Sequence, residues 1–250
     1  MLPNKLKPDG LYKLIRVGKD NDGGYLVCEN SVMNSNTLIS CGISDDFSFE
    51  QHFQKIRNVD IFAYDPTVSL NFFLKKFLHS LIKLKLILFF GHLLNWINFK
   101  KFFNKSKNKL FLKKIGKGGD AFHDYISIEN IIKSNDINQK IFFKVDIEGS
   151  EYRILNDLIK FMDKIEGLTI EFHNVDINMD RVLDFINKFN LKLVHIHANN
   201  WSTQGLDDIP SSIELSFSKK PVLLNNNITF PHNLDQKNNP DADEIKLVFS

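Results

Sequence analysis

The chain of 250 residues is 43% hydrophobic and 25% charged, with a formal net charge of +2. These values are ordinary for a soluble folded protein, so disorder is not the default, and they favour one domain large enough to bury a full core. The charge is unevenly distributed, because residues 66–119 contain 12 Lys and no Asp, Glu or Arg. Such a segment predicts a basic face for an anionic ligand or surface.

The cysteines and the apolar runs bear on the compartment. Cys28 and Cys41 are the only cysteines, and the first ten residues lack the apolar core of a secretory signal. We therefore expect a reducing, cytoplasmic environment. The longest apolar run, residues 84–94, contains Lys85 and Gly91 and is shorter than the roughly 20 residues of a spanning helix. We expect no transmembrane segment, and a helix lying on a membrane surface stays open.

The first predicted elements surround a glycine pair. Asp22-Gly23-Gly24 stands between two β-prone runs and predicts a hairpin turn, since Gly adopts positive φ without steric cost. A second interpretation is that the two glycines let the backbone approach a ligand, with Tyr25 as a wall.

Two strands with chemically distinctive ends follow. The run 37–42 predicts a buried strand that ends at Gly42, with Ser44 in the turn before a helix. Neither GxGxxG nor GxxxxGK[ST] fits this turn, so a ligand without phosphates suits it better. The run 60–64 predicts a second strand, and Asp65 after it holds the position that binds ribose hydroxyls in mononucleotide folds.

Residues 69–113 form a basic amphipathic segment. Lys75 and Lys76 fall on a different face from the apolar positions, which predicts a helix, and a second helix is expected around residues 93–103. The simplest interpretation is a helical pair that buries its apolar face against the sheet or another subunit. A membrane-surface contact and a lid over an anionic substrate are the alternatives. The apolar positions are Leu70, Leu74, Phe77, Leu78, Leu81 and Leu84.

A glycine-rich loop and another acidic strand end come next. The loop 116–119 leads to Asp120 and Ala121, a carboxylate and a small residue that could lie beside a flat ring. The apolar run 141–145 predicts a buried strand that delivers Asp146 to its carboxyl end.

The alternation of strands and helices predicts a doubly wound, mostly parallel α/β sheet with helices on both faces. The carboxyl ends of parallel strands meet at one edge, where ligands bind. His195 lies deeper in its strand and is expected to be a core histidine. The residues expected at this edge are Gly42, Asp65, Asp146, Glu148, Glu171, His173, His197 and Asn199.

Two chemistries suit these groups. His173 or His197 could take a proton from a hydroxyl, with a carboxylate orienting the imidazole. Alternatively, Asp146, Glu171 and His197 could hold a divalent cation that lowers the pKa of a bound hydroxyl. Mixed oxygen and imidazole ligands suit Mg²⁺ or Mn²⁺ as well as Zn²⁺, so the metal stays open.

The segment 144–151, Lys-Val-Asp-Ile-Glu-Gly-Ser-Glu, resembles the Lys-Ile-Asp-Val-Glu-Gly-(Ala/Ser)-Glu signature of FkbM-type methyltransferases, a class I S-adenosylmethionine-dependent family. The resemblance implies one domain over residues 1–250 with a Rossmann-like, seven-stranded methyltransferase sheet. Residues 69–109 match nothing in the family pattern and are expected to be a helical insertion. The supporting segments, in family order, are Asp22–Tyr25, Ser40–Asp46, Tyr64–Pro66, Gly119–Ala121, Ile170–His173 and His197–Asn200.

The resemblance also implies a cofactor site. Gly42 and its turn would receive the methionine part of S-adenosylmethionine, Asp65 would bind the ribose, and Asp120 with Ala121 would bind the adenine. Asp146 would lie beside the methyl-transfer site and is a catalytic candidate together with His173 and His197. The full set of implied cofactor-binding residues is Gly24, Tyr25, Gly42, Ser44, Asp65, Asp120, Ala121 and Asp146.

The activity that the resemblance implies is O-methylation of a sugar hydroxyl, on a nucleotide-linked sugar or a capsule-type polysaccharide precursor. His173 is the expected base and His197 the second choice, with Mg²⁺ or Mn²⁺ as optional cofactors. A homo-oligomer is expected, nucleic acid is not an expected partner, and peripheral membrane contact stays open. The alternatives are a cofactor-binding, non-catalytic partner protein and a metal-dependent hydrolase that uses the same Asp, Glu and His residues.

Overall fold

The computed structural model describes residues 1–83, 85–117, 124–138, 140–201, 205 and 209–250, to which the structural statements below refer. The strands are β1 (Leu11–Tyr12), β2 (Leu14–Val17), β3 (Tyr25–Cys28), β4 (Thr37–Cys41), β5 (Asp60–Tyr64), β6 (Asn108–Phe111), β7 (Lys114–Ile115), β8 (Tyr125–Ile126), β9 (Ile141–Val145), β10 (Ile165–His173), β11 (Lys192–Ala198), β12 (Ser212–Ser218) and β13 (Leu223–Asn225). The helices are α1 (Glu29–Asn34), α2 (Ser48–Ile56), α3 (Leu70–Ile82), α4 (Leu86–Phe103), α5 (Ile128–Ser134), α6 (Leu155–Lys160) and α7 (Val175–Lys188).

A seven-stranded sheet in the order β11-β12-β10-β9-β4-β5-β6 organises the fold. The five strands from β10 to β6 pair in parallel, and β12 runs antiparallel to both of its neighbours. The prediction of a doubly wound, mostly parallel Rossmann-like sheet is therefore confirmed. The chain leaves β4 toward β5 and leaves β9 toward β10, so the strand order reverses between β4 and β9. Ligands bind at such a switch point in open α/β sheets.

Alternate side chains of the central strands face two separate apolar layers. Phe143 on β9 packs with Leu158 of α6 and Phe185 of α7, whereas Phe142 packs on the opposite face with Phe53 of α2. This alternation follows from the period of two in a strand. Most side chains of the central strands are therefore apolar, as expected for strands buried on both faces. Lys144 of β9 and Glu171 of β10 are buried polar exceptions near the carboxyl ends of their strands.

The hairpin of β2 and β3 confirms the turn predicted at the glycine pair. Val17 pairs with Tyr25, and Gly18 and Gly23 adopt positive φ in the connection. The hairpin delivers the Tyr25 side chain to the carboxyl end of the sheet, where its hydroxyl contacts Asp146.

Helices α3 and α4 form the predicted insertion, but its apolar stripe does not pack as expected. Phe73 of α3 and Phe99 of α4 pack against each other, 5.3 Å apart at their ring centroids, and belong to the core with Phe102. The stripe positions Leu70, Leu74, Leu78 and Leu81 are 44–58% exposed. The interpretation that this stripe packs on the sheet is wrong, because the larger phenyl rings occupy the inward side. No helix in the described ranges has both the length and the apolar character needed to cross a membrane.

We predict that Gly42→Ala destabilises the fold, whereas Gly91→Ala does not. Gly42 has φ +78°, and a Cβ atom there would lie 1.6 Å from the backbone oxygen of Asp146. We expect its free energy of unfolding to fall by about 2 kcal/mol or more, measured by urea denaturation. Gly91 lies on α4 with no atom within 4 Å of an added Cβ, so alanine there should be neutral or stabilise by up to about 1 kcal/mol. Equal denaturation midpoints for the two variants would contradict this account.

Candidate active site

A cleft of about 910 Å³ opens at the switch point between β4 and β9. Its walls come from the turn after β4, the end of β5, the turn after β9 and the end of β10. Residues important for the chemistry that line it are Gly42, Ser44, Asp65, Asp146, Glu171 and His173. Because several strand ends contribute polar groups, the cleft collects charges that lie far apart in the sequence.

Lys144 connects the turn after β4 to the turn after β9. Its side chain is 8% exposed, and its Nζ donates to the carbonyl of Gly42 and lies 3.5 Å from Oδ2 of Asp146. Burial alone would lower the pKa of Lys144, but the charges of Asp146 and Glu50 outweigh it and raise that pKa. Lys144 is therefore a buried cation that orients the Asp146 carboxylate toward the cleft.

Tyr25 connects two acidic side chains from different strands. Its hydroxyl lies 3.0 Å from Oδ2 of Asp146 and 3.3 Å from Oε2 of Glu171. It has one proton to donate, so it bonds to one carboxylate at a time. Burial and the charges of Asp146 and Glu171 raise the pKa of Tyr25 well above its ordinary value, which keeps the phenol protonated.

Glu171 is the buried acid of the site. Its Oε1 accepts hydrogen bonds from Nδ2 of Asn199 and Oγ of Ser212, both at 2.7 Å. Burial, followed by the negative charge of Asp146, raises the pKa of Glu171 to about 8. The site therefore holds a carboxyl group that can be protonated near neutral pH.

His173 is surrounded by three carboxylates. Its Nδ1 lies 3.1 Å from Oε1 of Glu151, and its Nε2 lies 3.5 Å from Glu148 and 3.6 Å from Glu171. Burial opposes protonation of His173, but the bond to Glu151 and the charge of Glu171 raise its pKa to about 9. In the free protein the imidazole is therefore a cation at neutral pH.

Glu151 is the positioning residue that sequence reasoning missed. It is fully buried, and its Oε1 accepts from the backbone N–H groups of Ile147 and Gly149 as well as meeting His173. It thus closes the turn after β9 and fixes the imidazole ring. Glu148, its neighbour in the acidic motif, adopts φ +52° and has a side chain that is 87% exposed. The only sequence signal for Glu151 was its place in the family signature.

The structure does not bring His197 to the cleft. Its Nε2 lies 2.7 Å from Oε1 of Glu244 and its Nδ1 lies 3.5 Å from Oε2 of Glu214. Burial lowers the pKa of His197, but the bonds to these two glutamates dominate and raise it to about 10. The structure contradicts the assignments of His197 as a base and as a metal ligand, since its ring is outside the cleft and is held by Glu214 and Glu244. His195 is a core histidine as expected, with Nε2 2.9 Å from Asp235.

Asp65 lines the cleft but already uses its carboxylate to shape the turns. Oδ2 accepts from the backbone N–H groups of Ile43 and Ser44, and Oδ1 accepts from the N–H and hydroxyl of Thr67. A carboxylate accepts about four hydrogen bonds, and Asp65 already accepts four. Ribose binding by Asp65 therefore requires that one of these bonds be exchanged.

The remaining predicted cofactor residues divide into three groups. Gly42 and Ser44 line the cleft, where Ser44 adopts φ +47°, and Tyr25 reaches it through its hydroxyl. Gly23 lines the cleft, but the predicted residue Gly24 does not. Gly24 packs inside the hairpin, where an added Cβ atom would lie 2.1 Å from the backbone oxygen of Lys19. The predicted adenine residues, Asp120 and Ala121, lie outside the described residues.

Asp146, Glu171 and His173 offer one donor atom each, and these three atoms lie within 4.8 Å of one another. This is the one such group of three in the described ranges. Two carboxylate oxygens and an imidazole nitrogen suit Mg²⁺, Mn²⁺ or Zn²⁺. His173 thus takes the place in the predicted metal set that had been given to His197.

The fold and site define an α/β protein with a Rossmann-like sheet and an acid–imidazole cluster at its switch point. Neither a protein-family model nor a curated protein matches the chain. An rRNA methylase from Streptococcus thermophilus matches with 10% identity and a TM-score of 0.39 over 76% of this chain and 93% of its own. A fibrillarin/Nop5p complex matches with 12% identity and a TM-score of 0.40 over 75% and 74%. A precorrin-6y C5,15-methyltransferase from Geobacter metallireducens GS-15 matches with 11% identity and a TM-score of 0.38 over 77% and 86%. Similarities of this size say nothing about activity.

We predict that Glu171→Gln flattens the pH dependence of stability. The pKa of Glu171 is raised from 4.5 to about 8, so the folded state binds its proton more tightly than the unfolded state. The associated stability is complete below pH 4.5 and is lost as the pH rises toward 8, by at most about 1.4 kcal/mol per pH unit. Glutamine has nearly the shape of protonated glutamic acid but does not titrate. The variant should therefore lose less stability between pH 4.5 and 8. The measurement is urea denaturation in EDTA at several pH values; parallel curves for the two proteins would contradict the assignment.

Proposed function

We propose that this protein is an S-adenosylmethionine-dependent O-methyltransferase that acts on a sugar hydroxyl, on a nucleotide-linked sugar or a polysaccharide precursor. The observation that carries the proposal is the cluster of Asp146, Glu171 and His173, which lines a cleft at the switch point together with the Gly42 turn. The resemblance of residues 144–151 to the FkbM-type signature supports the same assignment, since Asp146 belongs to that signature.

The cofactor side of the cleft is the turn after β4. Gly42 brings backbone within van der Waals reach of Asp146, and the turn has none of the glycine patterns that cradle a phosphate. S-adenosylmethionine contains no phosphate and supplies a methyl group on a positively charged sulfonium. The carboxylates of Asp146 and Glu171 would favour such a charge in the cleft.

The acceptor side must orient a hydroxyl and remove its proton. Asp146 is oriented by Lys144 and Tyr25, so it can accept a hydrogen bond from the hydroxyl in a fixed direction. His173 is a cation in the free protein, but a second positive charge in the cleft lowers its pKa, because like charges disfavour the protonated form. Loading of the cofactor would thus release His173 to act as the base, with Glu151 holding its ring.

A nucleotide-linked sugar also needs a cationic contact for its diphosphate. Of the lysines in the described part of segment 66–119, Lys113 and Lys114 line the cleft. Nζ of Lys113 lies 3.8 Å from Oδ1 of Asp124, and Nζ of Lys114 lies over the Tyr125 ring. Both ammonium groups are therefore placed to meet a phosphate that enters from this side.

The direct test is turnover with the wild type and two matched variants. We expect S-adenosylmethionine to bind in calorimetry and a panel of nucleotide sugars to yield S-adenosylhomocysteine. His173→Ala should reduce turnover by about 10²–10⁴-fold and change cofactor affinity by only a few-fold, since it removes the base. Glu148→Gln is the control. It changes another side chain that lies 3.5 Å from His173, but it leaves the imidazole in place.

Each failure of that test has a distinct meaning. No cofactor binding at millimolar concentration would end the methyltransferase proposal and favour the hydrolase alternative. Cofactor binding without product from any sugar would favour the non-catalytic alternative. Unchanged turnover in His173→Ala would remove His173 from the mechanism while leaving the activity in place.

We also predict that turnover persists in EDTA. If His173 is the base, the reaction needs no divalent cation. Asp146, Glu171 and His173 could nevertheless hold one, and it would lower the pKa of a bound hydroxyl. Activity that disappears in EDTA and returns with Mg²⁺ or Mn²⁺ would show that the three side chains act as metal ligands instead.

A further inference from the structure

The helical pair α3–α4 carries an exposed apolar surface, called here the docking face. Its ten side chains are 44–89% exposed. Soluble monomers rarely expose so many large apolar side chains together, and such surfaces mark interaction sites. The members of the docking face are Leu70, Leu74, Leu78, Leu81, Ile82, Leu86, Ile87, Leu88, Phe90 and Leu94.

On α3 the docking face is a distinct side of the helix. At 100° per residue, Leu70, Leu81 and Ile82 lie within an arc of about 120° that also contains the other two leucines of this helix. The inward side is a different arc, marked by the buried residues Phe73 and Ser80. The exposed leucines are therefore not the edge of a core stripe, because the core contact of α3 is already made by other residues.

On α4 the first half of the helix is apolar without being buried. Its residues 86–94 are exposed or half-buried, whereas Phe99 and Phe102 in the second half anchor the helix in the core. A helix that is apolar on all sides is normally buried in protein or in lipid. In the described part of the chain the first half is covered only in part, where Phe89 meets Phe77 of α3, so most of its apolar surface lacks the surroundings that its composition requires.

The charged residues that α3, α4 and the turn between them contribute around the docking face are all basic. Lys75, Lys83 and Lys85 are exposed on or between the two helices. The whole segment 66–119 contains no acidic residue. An apolar face flanked by lysines is the pattern of helices that lie in the interface of an anionic membrane.

We propose that the docking face binds the surface of an anionic lipid bilayer, with its leucines and Phe90 in the acyl boundary and the flanking lysines at the headgroups. A second copy of the chain fits less well. In a two-fold symmetric contact the same patch meets itself, which would bring the three lysines of each copy together with no acidic partner from this segment.

The docking face is tied to the cleft by polar contacts. Nζ of Lys76 lies 2.5 Å from Oδ2 of Asp45, and Nδ2 of Asn95 donates to the Asp45 carbonyl at 2.9 Å. Asp45 follows Ser44 in the turn that lines the cleft, and Phe72 of α3 lines the cleft itself. Membrane binding would therefore hold the mouth of the cleft near the bilayer. This inference is independent of the methyl-transfer proposal, since lipid binding needs no cofactor.

The test is co-sedimentation of the full chain with vesicles. We expect about tenfold or stronger binding to phosphatidylcholine vesicles that contain about 30% phosphatidylglycerol than to phosphatidylcholine alone. Binding should weaken at about 0.5 M salt, because salt screens the lysine contribution. Absence of binding to the anionic vesicles at low salt would overturn the proposal.

Two pairs of triple variants locate the contact. Leu74→Ser with Leu78→Ser and Leu81→Ser should weaken vesicle binding by about tenfold or more. Ile177→Ser with Leu112→Ser and Leu224→Ser is the control, since these side chains are 47–69% exposed outside the docking face.

The second pair tests the lysines. The triple variant Lys75→Glu, Lys83→Glu and Lys85→Glu should weaken vesicle binding about as much as the leucine variant does. The same net charge change at the exposed residues Lys55, Lys220 and Lys246 should leave binding within a few-fold.

The outcomes separate lipid from other occupants of the face. All variants are first compared by thermal unfolding, and the leucine variant should be as stable as its control, because its side chains are exposed. Equal loss of binding in test and control triples would overturn the proposal. A wild type that ignores vesicles but sediments as a dimer, and becomes monomeric with the leucine variant, would assign the docking face to a second copy instead.

Discussion

The site depends on one buried cation, Lys144 of β9, whose ammonium group donates to the carbonyl of Gly42 in the turn after β4. A lone buried ammonium would be costly, and it is tolerated here because Asp146, Glu50 and the Gly42 carbonyl surround it. The same contacts bring the turn after β4 against the turn after β9, so the position of the Asp146 carboxylate and the shape of the cleft have a common cause. Glycine is required at Gly42 for this approach.

The cleft pairs cationic groups with carboxylates. Lys144 lies 3.5 Å from Asp146, and His173 lies 3.1 Å from Glu151 and 3.6 Å from Glu171. With the pKa of Glu171 raised to about 8 and that of His173 raised to about 9, both side chains carry protons that an arriving cation can displace. Binding of the proposed cationic cofactor would therefore be coupled to the protonation of Glu171 and His173.

The sequence was informative where chemistry is local and uninformative where it depends on distant partners. Apolar runs that end in Gly42, Asp146 and His173 predict a parallel sheet that gathers these residues at one edge, and the structure places them there. The ion pairs of His197 could not be foreseen, because Glu214 comes from a neighbouring strand and Glu244 lies 47 residues away. On α3, periodicity showed an apolar helix but not which apolar side packs inward, and the phenyl rings rather than the leucines do so.

The most direct measurement of the central claim is a crystal structure of the protein with S-adenosylhomocysteine. The account predicts that the ligand lies in the cleft between the Gly42–Ser44 turn and Asp146, with its sulfur on the side of Asp146 and His173. A ligand bound elsewhere, or a cleft that stays empty at saturating concentration, would contradict it.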